Sequence, residues 1–116
     1  MSLALVPARP TTQPDIKTLI AMLEYRRPHG SRSESKFINR FLRPLGMKTD
    51  GYGNLYKQIG DDPRVLWSAH TDTVHSAQGK QSVILSACGD YIKLKTGDKS
   101  SCLGADNAAG DRKSVV

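Results

Sequence analysis

A chain of 116 residues holds one domain at most, or part of one, and 17 Lys and Arg against 11 Asp and Glu give it a formal charge of +6. At 38% apolar and 24% charged residues, the composition fits a small globular chain and not a disordered one. No apolar run reaches the roughly 18–20 residues needed to span a bilayer, and residues 1–10 have no basic region of the secretory kind, so a cytoplasmic protein is expected.

Residues 1–11, with two prolines and no periodicity, read as a loose leader. Thr12, Pro14 and Asp15 then mark a helix N-terminus, and Ile16, Leu19, Ile20 and Leu23 supply one apolar stripe of a helix ending near Tyr25. Residues 26–30 break it. Ser31 and Glu34 have capping-box spacing, and Phe37, Ile38, Phe41, Leu42 and Leu45 form a second stripe that Pro44 and Gly46 close.

The second half changes period. Residues 50–54 carry turn chemistry and lead into an alternating strand over residues 55–59. The apolar run at 65–69 predicts a strand buried on both faces. Tyr52, Tyr56 and Trp67 are expected in sheet or core packing. Residues 82–87 and 91–95 flank Cys88, Gly89 and Asp90 as a hairpin, and 99–110 read as a small-residue loop. Helices followed by a central strand and a hairpin predict an α/β sandwich. Cys88 and Cys102 make no Cys-x-x-Cys pair and read as free thiols.

Two segments carry residue types suited to chemistry. Ser68-Ala69-His70-Thr71-Asp72-Thr73-Val74 sets a His and an Asp two apart, on one side of an extended chain. Imidazole ligates zinc, and a neighbouring carboxylate can fix its tautomer. Cys102-Leu103-Gly104-Ala105-Asp106-Asn107-Ala108-Ala109-Gly110 offers Asp106 among small residues, as a crowded metal site requires. His75 invites assignment as a second ligand, but the site pattern does not need it; His29 reads as loop surface.

These two segments, with Asp50-Gly51-Tyr52-Gly53-Asn54-Leu55 ahead of them, resemble the zinc exopeptidases of the M20/M28/M42 group, which includes aminopeptidases and tripeptidases. The likeness spans residues 13–110. It implies an N-terminal part of an α/β catalytic domain with two divalent metal ions, zinc foremost, acting on a peptide or related amide bond. By this resemblance His70 ligates metal, Asp106 bridges both ions, Asp72 supports His70 as a catalytic residue, and the Asp106–Asn107 peptide bond is cis.

The chain also departs from that pattern. The group needs a glutamate base, further acidic ligands and a late histidine, whereas Glu24 and Glu34 are the only glutamates here and Asp111 is the sole acid after Asp106. The 116-residue chain is therefore expected to be inactive. Residues 111–116 have no counterpart in the pattern and read as a foreign tail, of the sort a sequencing adapter translated in frame would encode.

A different class of function rests on charge. Arg26, Arg27, Arg32, Lys36, Arg40, Arg43 and Lys48 face a single acid, Glu34, across residues 26–48. Such a stripe suits a basic nucleic-acid-binding or protein-interaction module without catalysis, although a solvated helix face accounts for it more simply. No groove-reading or base-stacking motif accompanies it.

Overall fold

The computed structural model describes residues 12–114; the predicted leader and the last two residues of the predicted tail lie outside the described residues. Helix α1 (Thr12–Leu23) forms where the apolar stripe predicts it, with Asp15 in the first turn, where a carboxylate suits the positive end of the helix dipole. Strand β1 (Tyr25–Arg26) follows immediately.

Helix α2 (Arg32–Phe37) starts at Ser31, whose Oγ accepts from the Glu34 amide at 3.2 Å. The capping box is only half made. Glu34 Oε1 reaches past Ser31 to accept from the Gly30 amide at 2.8 Å. The helix then widens to a π-helical turn (Ile38–Leu42) and tightens to a 3₁₀ turn (Arg43–Leu45). Pro44 explains the change, because it has no amide to donate and its ring crowds the carbonyl four residues back. Gly46, at φ +80°, closes the element in a left-handed conformation that glycine adopts without strain.

The strands pair in three separate antiparallel ribbons. The first joins β1 to β4 (Gly79–Lys80), with Tyr25 opposite Lys80. The second joins β2 (Lys48–Thr49) to β3 (Leu55–Tyr56) around Asp50, whose Oδ1 accepts from the Tyr52 and Asn54 amides at 2.8 and 2.9 Å. The third is the predicted hairpin, β5 (Val83–Leu85) against β6 (Ile92–Leu94), with Ile84 opposite Lys93. The α/β class therefore stands as a mixture of helices and small antiparallel sheets, and the described residues contain no single sheet between helical layers. Among them, no helix is long and apolar enough to cross a membrane.

Two apolar clusters hold these pieces. Met22, Tyr25, Phe37 and Leu42 form one, where Tyr25, Phe37 and Phe41 meet at ring separations of 5.2–6.1 Å. Leu23, Val83 and Ala108 form the other, joining α1 to the β5–β6 hairpin and to α3 (Ala105–Ser114). The last helix corrects the sequence reading, which made residues 99–110 a loop; Ala108 is fully buried and anchors it.

The predicted strand at 65–69 is not there. Val65, Leu66 and Trp67 are 72%, 90% and 64% exposed, and no described strand pairs with them. An apolar run becomes a buried strand only where other layers cover both its faces, and the six short strands among the described residues are already used in pairs. The strand expected over 55–59 is cut to Leu55–Tyr56 for the same reason, and Tyr52 and Tyr56, expected in packing, lie exposed. The radius of gyration, 16.1 Å, exceeds the roughly 13 Å of a compact chain this long, in keeping with a core split in two.

Candidate metal centre

The chain brings all three predicted site residues together. His70 Nε2 lies 3.0 Å from Asp106 Oδ1 across 36 residues of sequence. The other ring nitrogen, Nδ1, lies 2.8 Å from the Asp72 carbonyl oxygen and 3.3 Å from Asp72 Oδ1. A carbonyl oxygen can only accept, so Nδ1 carries the proton of the neutral ring and donates it to Asp72. The Nε2 lone pair is left facing a carboxylate oxygen. Two acceptors settle at that distance when a proton or a cation lies between them, and Asp106, then Asp72, accordingly hold the His70 imidazole above its ordinary range.

The spacing is close to what a metal would need. Zinc bonds to nitrogen and oxygen at about 2.0–2.1 Å with tetrahedral angles, which puts the two ligand atoms about 3.3 Å apart. The observed 3.0 Å would open by a few tenths of an ångström. The site is open, with side-chain exposures of 50%, 36% and 91% for His70, Asp72 and Asp106.

Asp106 is set by the start of α3. Asp106 and Asn107 leave helical geometry, at φ/ψ of −89°/100° and −124°/42°, and the peptide bond between them is cis, as the resemblance implied. Asn107 Oδ1 folds back to accept from the Gly110 amide at 3.0 Å, so close that a Cβ on residue 110 would fall 2.0 Å from it. The small residues of this segment thus serve close approach.

Sequence reasoning missed the partners of His70's own segment. Glu34 Oε2 accepts from Thr71 Oγ1 at 2.7 Å, tying the 70–73 segment to α2. His29, Glu34 and Asp72 offer ligand-type atoms within 4.8 Å of one another. Both Glu34 oxygens already accept hydrogen bonds, from Gly30 and Thr71, so this cluster fastens the segment in place. No spacing rule links residue 34 to residues 71–72; only the fold does.

His75, which invited assignment as a ligand, lies apart from the His70–Asp106 pair, in the interior. Its Nε2 faces two oxygens, Cys102 O at 2.9 Å and Gln81 Oε1 at 3.0 Å, so Nε2 carries the proton and Nδ1 accepts from Thr73 Oγ1. Burial pushes its imidazole below the ordinary range, and the Arg27 and Arg26 charges act in the same direction.

The two histidines have opposite linkage. The unfolded chain binds a proton at residue 75 more readily than the folded one does, so stability falls as pH drops below about 6.5 toward the lowered value. His70 contributes below about 6.5 and loses its contribution as pH rises through its raised value, but its half-exposed ring is screened by solvent. The depressed carboxyls of Asp50 and Asp98 lose their contributions only below about pH 4. Urea unfolding of the metal-free protein is therefore expected to show stability declining from pH 7 to pH 5, with His75→Gln flattening the decline. A profile that is level in the parent chain would contradict this assignment.

No protein-family model, curated protein or solved structure matches this chain.

Proposed function

We propose that this chain carries part of the metal centre of a zinc exopeptidase-type hydrolase acting on peptide or related amide bonds. The observation behind it is the His70–Asp106 approach at 3.0 Å, with the second ring nitrogen of His70 fixed by Asp72. His70 would offer Nε2 and Asp106 its carboxylate to a divalent ion, zinc foremost, while Asp72 holds the ring in the tautomer that leaves Nε2 free to bind. Bound zinc would polarise the substrate carbonyl and acidify a water. Two protein ligands do not complete such a centre, and Glu34, the glutamate beside Asp72, is committed to Gly30 and Thr71 rather than to taking a proton from water. The 116 residues alone are expected to bind metal without hydrolysing peptides.

Zinc titration of the full chain, followed by calorimetry and by competition with a chromophoric chelator, tests the reading. His70→Ala and Asp106→Asn should each weaken binding about tenfold or more, equivalent to about 1.4 kcal/mol. Zinc binding that is absent from the parent chain, or unchanged in both variants, overturns it.

The charge-based alternative is a nucleic-acid or protein-interaction module using the exposed Arg32, Lys36, Arg40 and Arg43. Part of that stripe is engaged within the protein: Arg40 Nη1 donates to Tyr25 Oη at 3.0 Å, and Arg43 donates to Asn39 and Thr49. DNA binding that falls steeply with salt and survives His70→Ala would favour this alternative.

A further inference from the structure

Asp106 is 91% exposed and, among the described residues, has His70 as its hydrogen-bond partner, so its position depends on the backbone leading to it. That backbone is held in an unusual way. Three successive carbonyls just before it each accept from a different buried side chain: Cys102 O from His75 Nε2 at 2.9 Å, Leu103 O from Gln81 Nε2 at 2.8 Å, and Gly104 O from Arg27 Nη2 at 3.3 Å. His75, Gln81 and Arg27 are 5%, 6% and 0% exposed.

The same residues grip the His70 segment, His75 by lying on it and Arg27 through its main chain. Thr73 Oγ1 accepts from the Arg27 amide at 3.0 Å, and the Thr73 amide donates to the Arg27 carbonyl at 2.7 Å. Gln81 adds a bond to Leu23 O on α1 at 2.8 Å and accepts from Ser100 Oγ. Gly104, at φ +84°, lies so close beneath the His75 ring that a Cβ there would sit 2.8 Å from Cε1. One buried imidazole thus spans the two segments that carry His70 and Asp106.

We propose that His75, with Gln81 and Arg27, is a positioning residue that sets the reach of Asp106 to His70 by clamping the carbonyls of residues 102–104. The consequence for metal rests on the reading given under Proposed function; the positioning itself does not. The His75 ring and the Gln81 amide, hydrogen-bonded at every polar atom, hold one geometry, and groups behind metal ligands change metal affinity by roughly 10–100-fold when removed.

His75→Ala removes the donor to Cys102, whereas His75→Gln keeps an N–H at the reach of Nε2. Leu42→Ala, in the other apolar cluster, serves as a destabilised control. At a temperature where all are folded, His75→Ala should weaken zinc binding roughly tenfold or more, with His75→Gln near the parent value and Leu42→Ala unchanged. Equal loss in His75→Ala and Leu42→Ala, or no loss in His75→Ala, overturns the proposal. Should His75→Ala fail to fold, His75→Asn replaces it, its amide falling a methylene short of Cys102.

The metal-free protein gives a separate readout. Nuclear Overhauser contacts between the His70 ring and the Asp106 methylene should persist in the parent and His75→Gln and vanish in His75→Ala. If they persist in His75→Ala, the clamp does not position Asp106. Failure of zinc to bind the parent chain would overturn the metal reading while leaving this second test decisive for positioning.

Discussion

Arg27→Ala is expected to destabilise the fold by about 2–4 kcal/mol, the largest loss of any single surface-type residue in the chain. Arg27 is fully buried, with its guanidinium carbon 3.9 Å above the Phe37 ring and Nη2 on the Gly104 carbonyl. Truncation opens a hole beside Phe37, at the edge of one apolar cluster, and leaves the Gly104 carbonyl without this donor in the interior. The backbone bonds between Arg27 and Thr73 survive, because alanine keeps both main-chain groups. Arg27→Met refills most of the volume without the charge, and removing a buried charge also removes its desolvation penalty, so its expected loss is about half that of alanine. Urea unfolding at pH 7.5 measures both. A change below about 0.5 kcal/mol in Arg27→Ala would show that the guanidinium is energetically incidental.

That residue also marks how far the sequence could be read. In sequence, Arg27 is one member of a basic run, and composition alone sends it to solvent with Arg32, Lys36 and Arg43. What buries it is the meeting of Phe37 from α2 with the 102–104 segment, a contact with no local signature. Features carried by neighbouring residues were legible: the α1 stripe, the Ser31 cap, the Asp50 turn and the β5–β6 hairpin all follow from spacing and turn chemistry. The approach of His70, Asp72 and Asp106 was legible only through motif resemblance, since nothing periodic relates residue 70 to residue 106. The buried histidine was not. His75 has the residue type of a ligand, and its use as a donor to a backbone carbonyl depends on where Cys102 and Gln81 end up.

The segment at 65–67 is where sequence and structure diverge most, and the divergence has a consequence in solution. Val65, Leu66 and Trp67 carry no charge, include two strand-favouring residues and stand in solvent, as do Ile59 at 76% and Val74 at 87% exposure. A strand-prone apolar segment with unpaired backbone pairs with another copy of itself unless something covers it. Concentrated protein is expected to self-associate through this segment. Trp67 is the only tryptophan, so burial at the contact should move the fluorescence emission to shorter wavelength as light scattering rises with concentration. Leu66→Lys places a charge where Leu66 would be buried and forfeits about 2 kcal/mol of apolar burial in each chain, about 4 kcal/mol per pair, which weakens pairing by nearly a thousandfold. Leu66 is 90% exposed and belongs to neither apolar cluster, so thermal unfolding of dilute Leu66→Lys should match the parent. If emission and scattering stay independent of concentration in the parent chain, or Leu66→Lys associates equally well, the segment is inert and its exposure carries no drive to pair.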